Sequence, residues 1–352
     1  GMAGQYYPDY YTKGSFSGGF ISGVSIAYPI DGQMGYRRST TVYDPNLKPQ
    51  NTRSYELGPD LTFLDGLVSL SYTYSRQNVK DQIFSIPLPR STGASSYYTN
   101  GGKVHTDAHE LSLTINPIRR KNINWDMTFN FSKINNFVDE LAEGVSSIQL
   151  GGYTSPNVRA MAGEKYPVVW GPCFKRDDKG NIVITEEGMP VAGGEGVIAR
   201  VSPDFTLGFN TSLTVYKARL SATFDWHKGG QILAGTNGEL DYYGVSKQSG
   251  IDRDRGYAES TGVIQTGTDS NGNPIYSDVK TIQIPADKIE KVYTSRSSIW
   301  ESRVSDNDFV KLREISLSYP VFKSNWMEVN VSLFARNILL WSKVKNIDPE
   351  TS

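Results

Sequence analysis

Histidine is scarce in this chain: His105, His109 and His227 are the only three. His105 and His109 stand four apart, a spacing that on a helix would offer two imidazoles to one metal. Here they open "KVHTDAHELSLT", which runs into an alternating strand, so a metal pair is not expected. No H-E-x-x-H and no G-x-S-x-G occurs. Gly194-Glu195-Gly196-Val197-Ile198-Ala199 fits G-x-G-x-x-A in letters, yet it follows no strand of a βαβ unit and opens no helix, so it reads as loop glycine. "DDKGN" (177–181) and "DSNGN" (269–273) resemble pieces of calcium loops. Both lack the later glutamate of an EF-hand, and Gly180 and Gly272 sit where a hairpin turn wants positive φ, so turns are expected. Nothing places the acidic pairs Asp139-Glu140 and Glu186-Glu187 on two walls of a cleft, as glycoside hydrolysis would need. What remains is a set of aromatics in unpatterned stretches: Tyr153, Tyr166, Trp170, Tyr242, Tyr243, Tyr257 and Trp300. They could stack on a ligand or pack within their own loops. The expectation is a protein that is not an enzyme and uses no cofactor or metal. Its candidate ligand contacts are Tyr153, Trp170, Tyr242, Tyr243, Tyr257 and Trp300.

Composition narrows the class. A chain of 352 residues is long enough for one large or two ordinary domains. Its formal net charge of -1 gives no electrostatic case for a nucleic-acid partner. The single cysteine, Cys173, excludes an intrachain disulfide and argues against a cysteine-ligated zinc. No apolar run approaches the roughly 18 residues of a spanning helix, no signal peptide opens the chain, and Gly1-Met2 looks like an expression scar. Aromatics reach 12%, with 21 Tyr and 6 Trp. Mean hydropathy is nevertheless -0.41. That mix suits strands and loops better than helices.

The elements that must position any site are strands. In "NWDMTFNFSKI" (124–134), Trp125, Met127, Phe129 and Phe131 fall on one side and Asn124, Asp126, Thr128, Asn130 and Ser132 on the other, the period of two that a strand imposes. "LVSLSYTYSRQ", "HELSLTINP", "DFTLGFNTSLTV", "ARLSATFDWHK", "ISLSYP" and "MEVNVSLFA" repeat it. Phe205, Leu207 and Phe209 line one apolar face; Leu220, Phe224 and Trp226 line the next. The polar faces carry mostly Ser, Thr and Asn with little Lys or Glu, whereas a sheet facing bulk water usually shows more charge. The runs are about 9 to 12 residues, longer than the usual soluble strand. At a 45° tilt, ten residues climb roughly 23 Å, close to the apolar band of an outer-membrane barrel.

The connections alternate. "FLDG" (63–66), "NPIRRKN" (116–122), "YK" (216–217) and "PVFKSNW" (320–326) are short. Between them lie stretches without clear period at 77–108, 133–203 and 228–308, the last of about 80 residues, far beyond an ordinary structureless loop. Short turns alternating with long loops are the pattern of a transmembrane β-barrel with short periplasmic turns and long extracellular loops. This predicts an all-β, antiparallel membrane barrel portion over 1–352, with the aromatic faces toward outer-membrane lipid. The alternative is a soluble β-sandwich serving as a glycan-binding or adhesive module, with the aromatic faces packed together in a dry core.

Several segments carry a resemblance. Asp44-Pro45-Asn46-Leu47-Lys48-Pro49, followed by two strands, "KDQI" and "STG", is similar to the barrel of the SusC/RagA-type TonB-dependent transporters, with Gln50 where that family usually has glutamate. "FDWHKGGQI" (224–232) resembles its F-D-x-x-x-G-G-x-I, and "DFVKLREISLSYPV" (308–321) its F-V-R-L-R-x-I-x-L-S-Y strand. "FARNILLWSKVKNIDPE" (334–350) resembles its G-R-N-L element ending in D-P-E, with Ala335 replacing glycine. The resemblance runs from about residue 40 onward, and such barrels have 22 strands around a plugged lumen. It implies the C-terminal portion of a transporter barrel, cut at both ends, with about eight to ten strands if "FISGVSIAYP" contributes. It also implies an outer-membrane importer of oligosaccharides or peptides in a Gram-negative bacterium. A SusD-like surface lipoprotein would act as its lid, and TonB with ExbB and ExbD would energise it through N-terminal regions not visible here.

Overall fold

The computed structural model describes residues 19–21, 24–26, 40–142 and 144–350. Its main feature is a single antiparallel sheet. The strands are β1 (Asn51–Leu57), β2 (Asp60–Phe63), β3 (Val68–Lys80), β4 (Lys103–Arg120), β5 (Ile123–Glu140), β6 (Phe205–Val215), β7 (Ala218–Lys228), β8 (Phe309–Lys323) and β9 (Glu328–Ser342). Each of β3 to β9 pairs with its sequence neighbours, while β1 and β2 both pair with β3. The sheet is thus an up-and-down meander. Gly58-Pro59 separates β1 from β2, and a Cβ on Gly58 would lie 1.8 Å from the Tyr72 carbonyl oxygen, so only glycine permits that approach.

Register explains why the alternation matters. Leu61, Leu70, Leu113, Phe129, Phe209, Phe224, Leu312 and Ile338 lie opposite one another in one unbroken row across the sheet. Phe129 and Phe209 stack with ring centroids 4.6 Å apart, and Phe209 and Phe224 stack at 5.9 Å. The opposite face carries the row Ser71, Ser112, Asn130, Gly208, Asp225 and Lys311. Ser112 donates to Asn130 at 2.9 Å and Thr223 to Asn210 at 2.9 Å, so this face satisfies itself laterally. None of the ten expected lipid-facing side chains is buried, and Leu220 and Trp226 are 43% and 40% exposed. A sandwich would have closed a second sheet over them; among the described residues none does.

Five strands exceed the roughly 9 to 12 residues expected, with 13 in β3, 18 in β4 and β5, and 15 in β8 and β9, whereas β6 and β7 have 11. The reason is that the apolar stretch and the hydrogen-bonded ladder end at different heights. On β5 the apolar stretch covers about nine residues, 123–131, roughly 21 Å of climb at a 45° tilt. Above it the same face turns polar, with Arg76 paired to Asp107 at 3.2 Å and His105 to Asp139 at 2.8 Å, while the ladder continues. Residues 77–80, 103–108 and 133–140, expected in loops, are therefore strand. The turn expected at 116–122 shrinks for the same reason to Lys121-Asn122.

The turns at 64–67, 121–122, 216–217 and 324–327 share one end of the sheet, and the segments 81–102, 141–204 and 229–308 share the other. Those segments are folded, contrary to their lack of period. Strands 147–152, 157–161, 168–174 and 192–200 form a four-stranded sheet. Residues 229–308 hold α1 (Gly235–Tyr242), α2 (Lys247–Arg255) and α3 (Ile289–Ser297). Ala258, Ile284, Ile289, Val292 and Tyr293 form a small core there, joined by Met189 from the 141–204 segment. One short pair, Thr41–Tyr43 with Ser96–Asn100, is parallel, an exception to the expected antiparallel pairing. From "FISGVSIAYP" only the backbone pairing of Gly19–Ile21 with Val24–Ile26 is described, apart from the main sheet; the remainder lies outside the described residues.

If the aromatic face meets hydrocarbon, Phe129→Arg and Phe224→Arg should each cost about 2–4 kcal/mol at mid-bilayer. Outer-membrane fractionation with heat-modifiability on gels should show loss of assembled protein for both, while Asn130→Arg on the opposite face assembles normally. Normal assembly of both phenylalanine variants would reverse the facing.

Candidate functional site

The polar face becomes a site where charge collects at the upper end of β7 and β8. In "FVKLREISLS" the apolar phase slips: Val310 and Leu312 alternate, then Ile315 and Leu317 resume one position late. The register records the slip as a bulge, with Phe224 opposite Leu312 and Thr223 opposite Glu314, leaving Arg313 unpaired. A bulge adds one residue to one strand and re-aims its side chain. Arg313 consequently reaches Asp225 on β7, Nε to Oδ2 at 2.5 Å, and forks onto both oxygens of Glu350, with Nη1 to Oε2 at 2.8 Å. Lys311, whose side chain is 5% exposed, donates to Asp348 at 2.7 Å and Glu350 at 2.6 Å. The Arg313 fork, then Lys311, hold the Glu350 carboxyl down at about 2, against the opposing effect of its burial. Residues 343–350 thus fold back over the polar face, anchored beside this network by Val344 packed with Ile232, Ala234 and Ile347.

Two cavities meet at this point. One, about 610 Å³, lies on the polar face and is lined by Ser112, Asn130, Asn210, Asp225, Arg313 and Glu350, among others. The other, about 670 Å³, lies between the four-stranded sheet of the loops and the upper ends of β7 and β8. His227, Phe309 and Glu350 line both. The His227 and Phe309 rings are stacked almost parallel with centroids 4.8 Å apart. His227 Nδ1 donates to the Asn307 carbonyl at 2.9 Å, so in the neutral form of the ring the acceptor is Nε2.

A model of the TonB dependent receptor-like β-barrel matches residues 2–258. The chain belongs to that family. TonB-dependent receptor P3 of Formosa agariphila is 26% identical over 345 residues, 89% of this chain and 32% of that protein. TonB-dependent receptor SusC of Bacteroides thetaiotaomicron is 26% identical over 106 residues, 30% of this chain and 11% of that protein. In fold, the RagAB peptide importer in its closed-closed state aligns with a TM-score of 0.62 at 17% identity, over 93% of this chain and 35% of the other. The RagAB structure in the open-open state gives 0.61 at 17% identity, over 98% and 36%. The chain spans about a third of the length of the receptors it matches along most of its own length. It is a SusC-type barrel portion, and these relatives are named as receptors, in keeping with the expectation that it is not an enzyme.

In this receptor barrel the expected loop aromatics do not converge. Tyr153 lines the larger cavity and is largely exposed. Trp170 donates to Glu195 at 3.0 Å beneath the Arg159 guanidinium. Tyr242 and Tyr243 meet edge to face at 5.1 Å on a separate cavity of about 530 Å³. Tyr257 and Trp300 are each covered by an arginine, Arg255 and Arg303. Tyr166 uses its backbone, accepting from Ser202 and donating to Asn136. His105 and His109 have different partners, Asp139 and Tyr72. Asp177 accepts from the Lys179 and Asn181 amides, and Asp269 from those of Asn271 and Asn273, so each carboxylate closes its own turn. The charged network was missed. Its signal was present in the broken alternation at Leu312-Arg313-Glu314 and in the two quoted motifs that hold Lys311, Arg313, Asp348 and Glu350.

The Glu350 pKa is depressed, so its ionised contacts contribute fully above the ordinary carboxyl range and are lost as pH falls through about 2. Carbon-13 titration of the Glu350 carboxyl in the receptor should therefore give a midpoint near 2. Arg313→Gln should move that midpoint up toward the ordinary glutamate value. An unmoved midpoint would mean that the fork does not hold the carboxylate.

Proposed function

We propose that this chain forms lumen wall and outer vestibule of an active importer in the outer membrane of a Gram-negative bacterium, carrying oligosaccharides or peptides. The observation that carries the reading is the asymmetry of the wall. Residues 343–350 fold onto the polar face, where two cavities meet, and among the described residues no second sheet covers the aromatic face. A polar, self-satisfied wall with ligand-sized cavities suits a wet passage, and an uncovered aromatic wall suits lipid. Binding there would proceed by hydrogen bonds and stacking without bond chemistry.

Family membership supports the energy source: TonB, with ExbB and ExbD, acting through parts of the receptor other than this wall. The SusC relative and the RagAB neighbours support a SusD-like surface lipoprotein as the partner that closes over the long-loop end.

Uptake of fluorescently labelled oligosaccharides and peptides by cells expressing the full-length receptor tests this. Accumulation should require the receptor and should fall to background when TonB is deleted. Uptake at the same rate without TonB would replace the importer with a passive pore.

A further inference from the structure

We propose that the cavity of about 670 Å³ is a subsite for an apolar amino-acid side chain of an oligopeptide, which assigns this importer to peptide rather than carbohydrate cargo. The inference rests on the importer reading above and deepens it. The walls of the cavity are mainly carbon: Pro156, Val158, Pro167, Val169, Val201 and Leu233 all face it. Three of these belong to one packed cluster, in which buried Val169 joins Ile198 and Ala199, with Val201 and Leu233 against them. This makes the apolar wall a braced surface continuous with a core.

The polar groups at the cavity are few, and several are already engaged. Asn157 donates to the Thr154 carbonyl at 2.8 Å, Gln231 accepts from the Arg200 amide at 3.0 Å, and Asn307 donates to the Pro349 carbonyl at 3.1 Å. Glu350 is committed to Arg313 and Lys311. Two acceptors remain: His227 Nε2, since only Nδ1 of that ring is engaged among the described contacts, and the buried Asn307 Oδ1, which has no partner among them, so each can accept one ligand N–H.

A sugar ring carries hydroxyls around its rim. Seated here, most of them would lose their water against proline, valine and leucine, with only a few polar partners for a whole rim of hydroxyls. Tyr242 and Tyr243 stand on a different cavity; the rings at this one are Tyr153, which is largely exposed, and the stacked His227–Phe309 pair. An extended peptide matches both parts of the site. One aliphatic side chain enters the carbon-walled cavity, a backbone N–H meets His227, and the remaining polar backbone lies along the Ser, Asn and Asp surface of the adjoining cavity.

Calorimetry on the purified full-length receptor compares Ala-Ala-Leu-Ala-Ala, Ala-Ala-Asn-Ala-Ala and maltohexaose. The leucine peptide should bind about tenfold or more tighter than the asparagine peptide, and maltohexaose should be the weakest. Val158→Asp should abolish the leucine preference; Val201→Trp, which fills the space without adding charge, should exclude the leucine peptide if the aspartate variant does not fold. Equal binding of the two peptides, binding of neither, or tighter binding of maltohexaose would overturn the subsite. Uptake measured in parallel separates the two readings. A leucine preference in binding without TonB-dependent uptake supports the subsite and removes the importer, whereas uptake without the preference removes the subsite alone.

Discussion

One constraint governs the proposed importer wall: a sheet one layer thick must hand each face to a different solvent while keeping its backbone paired. Hydrocarbon supplies no hydrogen bonds, so a wall in lipid needs a continuous ladder and side chains that settle their polar atoms among themselves. Both conditions can be read at single residues. The row from Leu61 to Ile338 crosses eight strands without a polar interruption. The polar atoms that do appear on that face answer each other, with Trp125 Nε1 donating to Thr211 Oγ1 at 2.9 Å and Thr211 donating to the Asp126 carbonyl at 3.3 Å. Register is strongly specified as a result, because a slip of one residue would turn Phe129, Phe209 and Phe224 onto the polar face together.

The charged network follows from the same division. Lys311 lies in the row that contains Ser112, Asn130 and Asp225, so its ammonium can only go to the polar face. There it is almost wholly buried, which would be costly for an unpaired cation. Asp348 and Glu350 supply the counter-charge from a segment that is not strand. The bulge then adds Arg313 to the same face and ties that segment to β7 through Asp225. Burial of one lysine and one extra residue in a strand thereby fix where 343–350 lies, and with it the partition between the two cavities.

How much of this could be read in the sequence divides along the range of the interactions. Which side each of Trp125 to Phe131 takes, and the positions of the turns at 216–217 and near 64, depend on neighbours in sequence and were visible there. The upper strand ends were not. Residues 133–140 place Lys133 and Asn135 on the face that is aromatic below and Asn136 on the other, so the ladder persists where the hydrophobic period that marks a strand has gone. The helices were hidden for a related reason. α1, "GTNGELDY", contains two glycines and no apolar stripe, and it is held by its neighbours α3 and the turn 300–303 rather than by propensity. α2 was more legible: Ser246 caps its start, accepting from the Ser249 amide at 3.1 Å, and Gly256 ends it at φ 82°.

The cavities lay furthest from sequence reading, because their walls are assembled across the chain. Val169 and Val201 come from the second long segment, Leu233 from the third, His227 and Phe309 from strand ends, and Pro349 from the fold-back. No local pattern joins these positions; only the meander brings β7 and β8 side by side beneath the loop sheet. Once they are joined, an order of environments appears along the wall. Carbon surfaces from Val158 to Leu233 stand outermost, the flat His227–Phe309 pair and Glu350 mark the change, and the Ser, Asn and Asp rows follow inward. A solute moving along this face would leave an apolar contact before meeting hydrogen-bonding partners. Its retention at the first cavity would therefore be decided by apolar area, and its passage into the second by how well it matches the polar rows beyond Glu350.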